Sequence, residues 1–205
     1  MESLIRMGRV LDKLKRILYP YQVIERIRWG YVSKKFKRFG KNSIMAYNFT
    51  VIGPEYIELG DRVTFGHDSI IACYDKHYEE PTGYIPRIKI GDNIYFGRHC
   101  SLSCINEIII SDNVLFGDNV SVFDNFHGKS DYSDLDVPPN LRELSSKGPV
   151  FIGKNVWIGK NVCIMPNVKI GDYAVVGANA VVTHDIPPCA IAVGVPAKVV
   201  KIIEK

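Results

Sequence analysis

The stretch Ile152-Gly153-Lys154-Asn155-Val156-Trp157-Ile158-Gly159-Lys160-Asn161-Val162-Cys163-Ile164-Met165-Pro166-Asn167-Val168-Lys169-Ile170-Gly171-Asp172-Tyr173-Ala174-Val175-Val176-Gly177-Ala178-Asn179-Ala180-Val181-Val182 returns an aliphatic residue at every sixth place. A fixed short period is a repeat, and a repeat decides the architecture before local propensity does. A helix needs a period of 3.6 and a half-buried strand a period of two, and neither fits consecutive hexads. Six residues instead suit one flat face of a three-faced coil. The aliphatic residue points inward, and the residue four places later is also inward and must be small, as Val156, Val162, Val168, Ala174 and Ala180 are. The Gly after many of the aliphatic residues suits a sharp corner. Eighteen residues then close one triangular coil, and stacked coils share parallel strands.

Outward from this run the beat continues less evenly. It begins at Leu59, Phe65 and Ile71, resumes at Ile90, Phe96 and Leu102, shifts by two residues at Ile108, and goes on at Ile110, Phe116 and Val122. Loops are expected at 74–87, with Pro81, Gly83 and Pro86, and at 128–149, with Pro138-Pro139. Phe65, Phe96 and Phe116 take inward aliphatic places, so the early coils should be wider or less regular than the late ones.

The formal net charge of +4 conceals a division. Residues 1–40 hold eleven Lys and Arg against Glu2, Asp12 and Glu25, a local +8, which leaves −4 for the remainder. Leu4, Met7, Leu11, Leu14 and Leu18 fall at helical spacing, so residues 2–19 read as a basic amphipathic helix ended by Pro20. A second basic, aromatic-rich stretch runs from Tyr21 to Arg38. The apolar stripe packs on the protein body or a sister subunit, or residues 2–38 rest on an anionic inner leaflet. Nucleic acid is not an expected partner, because no reading motif accompanies the charge. No run approaches eighteen apolar residues and no signal peptide is evident, so a cytoplasmic location is expected, with peripheral contact at the inner face of the membrane as a further expectation. Five cysteines, with no CxxC pair, argue against a disulfide framework and a zinc ribbon.

The chain resembles the hexapeptide-repeat acyltransferases, in their xenobiotic, galactoside and maltose acetyltransferase branch. The resemblance rests on Asn155-Val156-Trp157-Ile158-Gly159, Ala178-Asn179-Ala180-Val181-Val182-Thr183, Asp185-Ile186-Pro187-Pro188 and Gly194-Val195-Pro196-Ala197-Lys198. It implies an all-β fold, a left-handed parallel β-helix over residues 41–201, with the N-terminal α-helical segment at 1–40. It also implies acetyl-CoA as acyl donor and a homotrimer whose groove and base come from adjacent subunits. Asn167 stands where the family usually has Gly; Asn tolerates left-handed backbone angles, so the corner should survive.

By the same resemblance, His127 in Phe123-Asp124-Asn125-Phe126-His127-Gly128 is the general base. The chemistry suits it: a hydroxyl is a poor nucleophile at neutral pH, and an imidazole can take its proton as oxygen attacks a thioester. The family pattern Asp-His-x-His-Gly has Asn125 here in place of its first His, so Asn125 is a candidate substrate-binding residue. Asp124 either orients the imidazole, binds a sugar hydroxyl or caps the turn, and Glu107 is a second candidate carboxylate if coils here are twenty residues long. The resemblance places Trp157, Gly159, Lys160, Ala178, Thr183 and His184 along a groove for the pantetheine arm of acetyl-CoA, with Lys198 and Lys201 at its phosphates. No metal is expected, since no closely spaced histidine pair occurs. The expected activity is O-acetylation of a sugar in surface polysaccharide or lipopolysaccharide biosynthesis. N-acetylation of an amino-sugar nucleotide and a non-catalytic β-helix scaffold are the alternatives.

Overall fold

The six-residue beat becomes strands of two to four residues, one on each face of a triangular prism. The computed structural model describes residues 27–129 and 131–204 and divides into a unit ending at Lys35 and a body beginning at Phe36. In the first unit residues 27–32 are helical and a 3-10 turn follows at Ser33–Lys35. There the Lys35 ammonium lies 5.1 Å from the Tyr31 ring centroid. The helix expected over 2–19 lies outside the described residues. Among the described residues no helix is long and apolar enough to cross a membrane.

The first face of the body stacks Arg38–Phe39, Ile57–Leu59, Arg87–Ile90, Glu107–Ile110, Val150–Ile152 and Lys169–Ile170. The second runs from Ile44–Met45 through Thr64–Phe65, Tyr95–Phe96, Leu115–Phe116, Trp157–Ile158 and Val175–Val176 to Ala190–Val193. The third carries Thr50–Ile52, Ile70–Cys73, Ser101–Cys104, Ser121–Phe123, Cys163–Ile164 and Val181–Val182. Neighbours within each face pair in parallel, as a coiled chain requires. The strand Lys198–Ile202 then turns back antiparallel on Ala190–Val193 and covers an edge that would otherwise present unpaired amides.

Both inward positions of each late hexad are filled as the period demands. Ile152, Val156, Ile158, Val162, Ile164, Val168, Ile170, Ala174, Val176, Ala180 and Val182 are all essentially inaccessible. Along the second face one inward column reads Phe65, Phe96, Phe116, Ile158, Val176, Ala192, so the core tapers from aromatic to methyl. The three phenylalanines accommodate each other by stacking, with centroids 4.1 and 4.3 Å apart, and Phe49 closes the end edge-on at 5.0 Å.

The corners divide two tasks between two residues. The left-handed backbone angle falls on Asn155, Asn161 and Asn167, with φ of 56°, 59° and 61°. Asn does this at lower cost than other side-chain-bearing residues, and it links coils, Asn119 donating to Asn161 and Asn161 to Asn179 at 2.9 Å each. The glycine two places before Asn155 and Asn161 answers close packing: a Cβ on Gly159 would lie 2.6 Å from the Ala178 amide nitrogen of the next coil.

The early coils are two residues longer, and the extra pair sits at the corner between the third and first faces. Ser101 and Ile109 are eight residues apart, whereas Cys163 and Lys169, their counterparts two coils on, are six apart. Both interruptions of the beat also leave from this third corner. The first contains the hairpin Lys76–His77 with Glu80–Pro81. The second leaves the prism after Phe123, earlier than residue 128, because Phe126–His127 already pairs antiparallel with Leu144–Ser145.

Candidate active site

The third corner assembles around a buried carboxylate. Asp124 has no accessible surface, and its two oxygens accept from the amides of Ile105 and Asn106, 2.9 Å each, in the turn one coil below. The Cys104 thiol and the Asn125 side-chain amide also donate to it, at 3.3 and 3.2 Å. Asp124 therefore fastens the chain's departure point to the two-residue insertion beneath it. Asn125 is turned the same way, its Nδ2 donating to the Ser103 carbonyl at 2.9 Å and the Ser103 hydroxyl at 3.0 Å.

His127 follows on the short strand that Asp124 launches, and its side chain is exposed. Its ring meets His77 of the first loop edge-to-face, with centroids 5.4 Å apart. His77 belongs to no sequence motif, and only the stacking of the two loops brings it here. Those loops are tied by the His77 Nε2 at 3.2 Å from the Asn140 carbonyl and by the Ser146 amide donating to the Tyr84 hydroxyl at 3.3 Å. Between them lie two cavities of about 760 and 650 Å³. Thr82, Gly83, Leu141, Glu143 and Leu144 line both, Gly128 and Lys129 the larger, His77 and Tyr78 the smaller.

Glu107 lies on the first face, at register with Arg87, which donates to it at 3.3 Å. The spacing of twenty residues between Arg87 and Glu107 shows the coil length on which its candidacy rested. Its ion pair is with the Arg87 guanidinium, which also reaches Glu58 at 3.5 Å.

The residues assigned to a cofactor groove occupy three places on the prism. Trp157 stands outward on the second face, 55% exposed. Gly159, Lys160 and Ala178 stack at the second corner, between the second and third faces. Thr183 and His184 hydrogen-bond to each other at 2.8 Å and line a groove of about 460 Å³ with Pro149, Phe151, Asn167 and Lys169. Lys198 and Lys201 are exposed on the returning last strand, which shares the second face with Trp157. A long, jointed ligand is the kind of molecule that can touch all three.

Three of the five cysteines are poor nucleophiles. Burial pushes the Cys100 thiol up to about 11 and raises those of Cys104 and Cys163, so thiolate is scarce at neutral pH. Among the described residues one group could hold a cation: His67, Asp68 and His99 converge at the second corner, with ligand atoms within 4.8 Å of one another. His67 and His99 meet across coils, which their spacing along the chain does not reveal.

Comparison with known proteins bears on the fold and the family. Residues 149–184 match the family model described as bacterial transferase hexapeptide (six repeats). The chain is 33% identical over 176 residues to the galactoside O-acetyltransferase of Escherichia coli, covering 80% of this chain and 78% of that protein. It is 36% identical over 118 residues to WbbJ of the same organism, whose name assigns it to lipopolysaccharide biosynthesis as an O-acetyl transferase. That match covers 56% of this chain and 60% of WbbJ, less than two thirds of its length. Among solved structures, AntD, an N-acyltransferase from Bacillus cereus in complex with dTDP and 3-hydroxybutyryl-CoA, superposes with a TM-score of 0.69 at 22% identity, over 86% of this chain and 88% of that one. VCA0836 of Vibrio cholerae, in complex with acetyl-CoA, superposes at 0.56 with 24% identity, over 88% and 79%. The prism is thus the left-handed parallel β-helix, and the chain belongs to the bacterial hexapeptide-repeat transferase family, among its acetyltransferases.

Proposed function

We propose that the chain transfers an acetyl group from acetyl-CoA to a sugar hydroxyl, with His127 as general base, in the assembly of a surface polysaccharide or lipopolysaccharide. The observation that carries this reading is the placement of His127: exposed, fixed on a two-residue strand, in ring contact with His77 of the smaller cavity and followed by Gly128 of the larger. A neutral imidazole there removes the hydroxyl proton as the oxygen attacks the thioester carbonyl. The C–S bond then breaks, and the proton returns from the imidazolium to the departing CoA thiolate. The galactoside and lipopolysaccharide relatives support a hydroxyl acceptor.

Acetyl-CoA suits the remaining assigned residues. Trp157 offers a flat apolar wall, Gly159 and Ala178 admit a chain close to the backbone, Thr183 and His184 supply hydrogen bonds, and Lys160, Lys198 and Lys201 supply charge for phosphates. Their spread over three parts of the prism supports a groove completed by an adjacent subunit of a homotrimer. The second face supports the same assembly: along its outward column Ile44, Thr64, Tyr95, Leu115 and Trp157, every residue but Thr64 is apolar and exposed. The basic segment 2–38 supports a lipid-linked or polymeric acceptor at the cytoplasmic face of a membrane.

In His127→Ala, acetyl transfer should fall about 10²–10⁴-fold, while CoA still raises the melting temperature as it does in the parent. Thiol release measured with matched hydroxyl and amino acceptors reads both the rate and the acceptor class. An unchanged rate in the variant removes His127 as base, and a preference for the amino acceptors replaces O-transfer with N-transfer.

A further inference from the structure

A general base of this kind needs two things from its surroundings: a bare ring nitrogen toward the acceptor, and a partner for the opposite N–H that fixes tautomer and ring plane. Neither of the two carboxylates assigned to the site takes that second task. Asp124 is enclosed by the Ile105 and Asn106 amides, the Cys104 thiol and Asn125, and Glu107 is engaged by Arg87. The group that lies against the His127 ring is His77, edge-to-face at 5.4 Å between centroids and 66° between planes.

The protonation pattern of His77 follows from its other contact. Its Nε2 is 3.2 Å from the Asn140 carbonyl oxygen. A carbonyl can only accept, so Nε2 carries the proton, and in the neutral ring Nδ1 is left as a bare acceptor. The chain holds His77 there at a conformational cost. The two residues that follow it, Tyr78 and Glu79, turn the hairpin with φ of 48° and 68°. Side-chain-bearing residues in the left-handed region are strained and persist where surrounding structure over-determines them. Asn-Gly or Gly-Gly would make the same turn without that strain.

We infer that His77 is the positioning residue for His127: the two rings touch edge-to-face without a hydrogen bond between them, and turning of the His127 ring lets the His77 Nδ1 accept its ring N–H, which holds that ring in one tautomer and leaves the other His127 nitrogen free for the acceptor hydroxyl. When His127 takes the acceptor proton, the same hydrogen bond stabilises the imidazolium without a second proton transfer, and the proton leaves with the CoA thiolate. The pair also makes the base depend on both loops, since His77 reaches it only when the first loop is docked on Asn140 of the second. The inference rests on the assignment of His127 as base, and its test separates the two.

The test compares the parent with His77→Ala and His77→Asn, all as full-length protein. Ring nitrogen spectra of ¹⁵N-histidine-labelled protein at mildly alkaline pH should show His127 in a single tautomer in the parent and averaged between tautomers in His77→Ala. Asn offers Nδ2 to the Asn140 carbonyl and Oδ1 to His127, so His77→Asn should restore the single tautomer. With acetyl-CoA and methyl galactoside as probe substrates, His77→Ala should lower kcat about 10–100-fold with KM for acetyl-CoA kept, and His77→Asn should recover most of the loss. A His127 spectrum that is the same in parent and His77→Ala overturns the positioning role, whatever the kinetics. Loss of tautomer order in His77→Ala, with turnover unchanged in His127→Ala, keeps the positioning contact and overturns the base.

Discussion

The late coils, built from residues 150–182, and the early coils, from 57–123, use the same faces and register but different amounts of chain. In the late coils every corner is short and every inward residue aliphatic or smaller, so each coil closes on itself and nothing leaves the prism. In the early coils the inward column of the second face is a stack of phenylalanines and the third corner holds two more residues. It is from this corner that both loops emerge, and Asp124 pins the second to the insertion below. The difference teaches where a solenoid can carry chemistry. A perfect repeat is a scaffold, and reactive groups appear where the repeat has slack that a buried hydrogen-bond network can fix.

The largest test of that contrast, after the loss of turnover expected for His127→Ala, concerns the tapered inward column. Phe96→Ala removes the centre of the aromatic stack and should cost about 3–5 kcal/mol, read by urea unfolding. Ile158→Phe, one coil above Phe116, should cost less, about 1–3 kcal/mol by overpacking. Equal tolerance of both would mean that the taper does not set coil size. Next, Asp124→Ala leaves two amides of the turn below without an acceptor. About 3 kcal/mol should be lost, at about 1–3 kcal/mol for each buried unsatisfied group, and amide exchange should quicken at Ile105 and Asn106. Protection unchanged at those amides would show that the loop is not anchored through them.

Smaller effects are expected at the corners of the prism. Asn167→Ala puts a Cβ-bearing residue with no local hydrogen-bonding group at φ of 61° and should lower stability by about 1–2 kcal/mol, whereas Asn167→Gly should not. The smallest effect is at Asp118, which the Arg98 guanidinium, 2.7 Å away, holds down to about 2. A carboxyl depressed on folding stabilises above its unfolded value of about 4, and that contribution is lost as pH falls toward 2. Because the Arg98 side chain is half exposed, screening keeps it under about 1 kcal/mol. Asp118→Asn should therefore lower stability at neutral pH by under about 1 kcal/mol and converge on the parent as pH falls toward 2, which flattens the acid limb slightly; a larger loss at neutral pH would contradict an exposed pair.

Much of this molecule is legible in the chain because a repeat states its geometry many times over. The inward places of Ile152 through Val182, the smallness of Ala174 and Ala180, and the left-handed turn at Asn167 are each local demands of a hexad, so they can be read one hexad at a time. The two-residue shift at Ile108 was visible as a broken beat, but its meaning depended on Asp124, sixteen residues on, finding the turn at Ile105 and Asn106. His127 could be singled out because it ends a coil within a motif. His77 could not, since nothing in its neighbourhood marks it and its value comes from a ring fifty residues away. The sequence by itself determined the coil, its faces and its corners, because each depends on residues six apart. The tertiary structure alone decided which side chains meet where coils stack and loops dock, because those contacts join residues that share no local period.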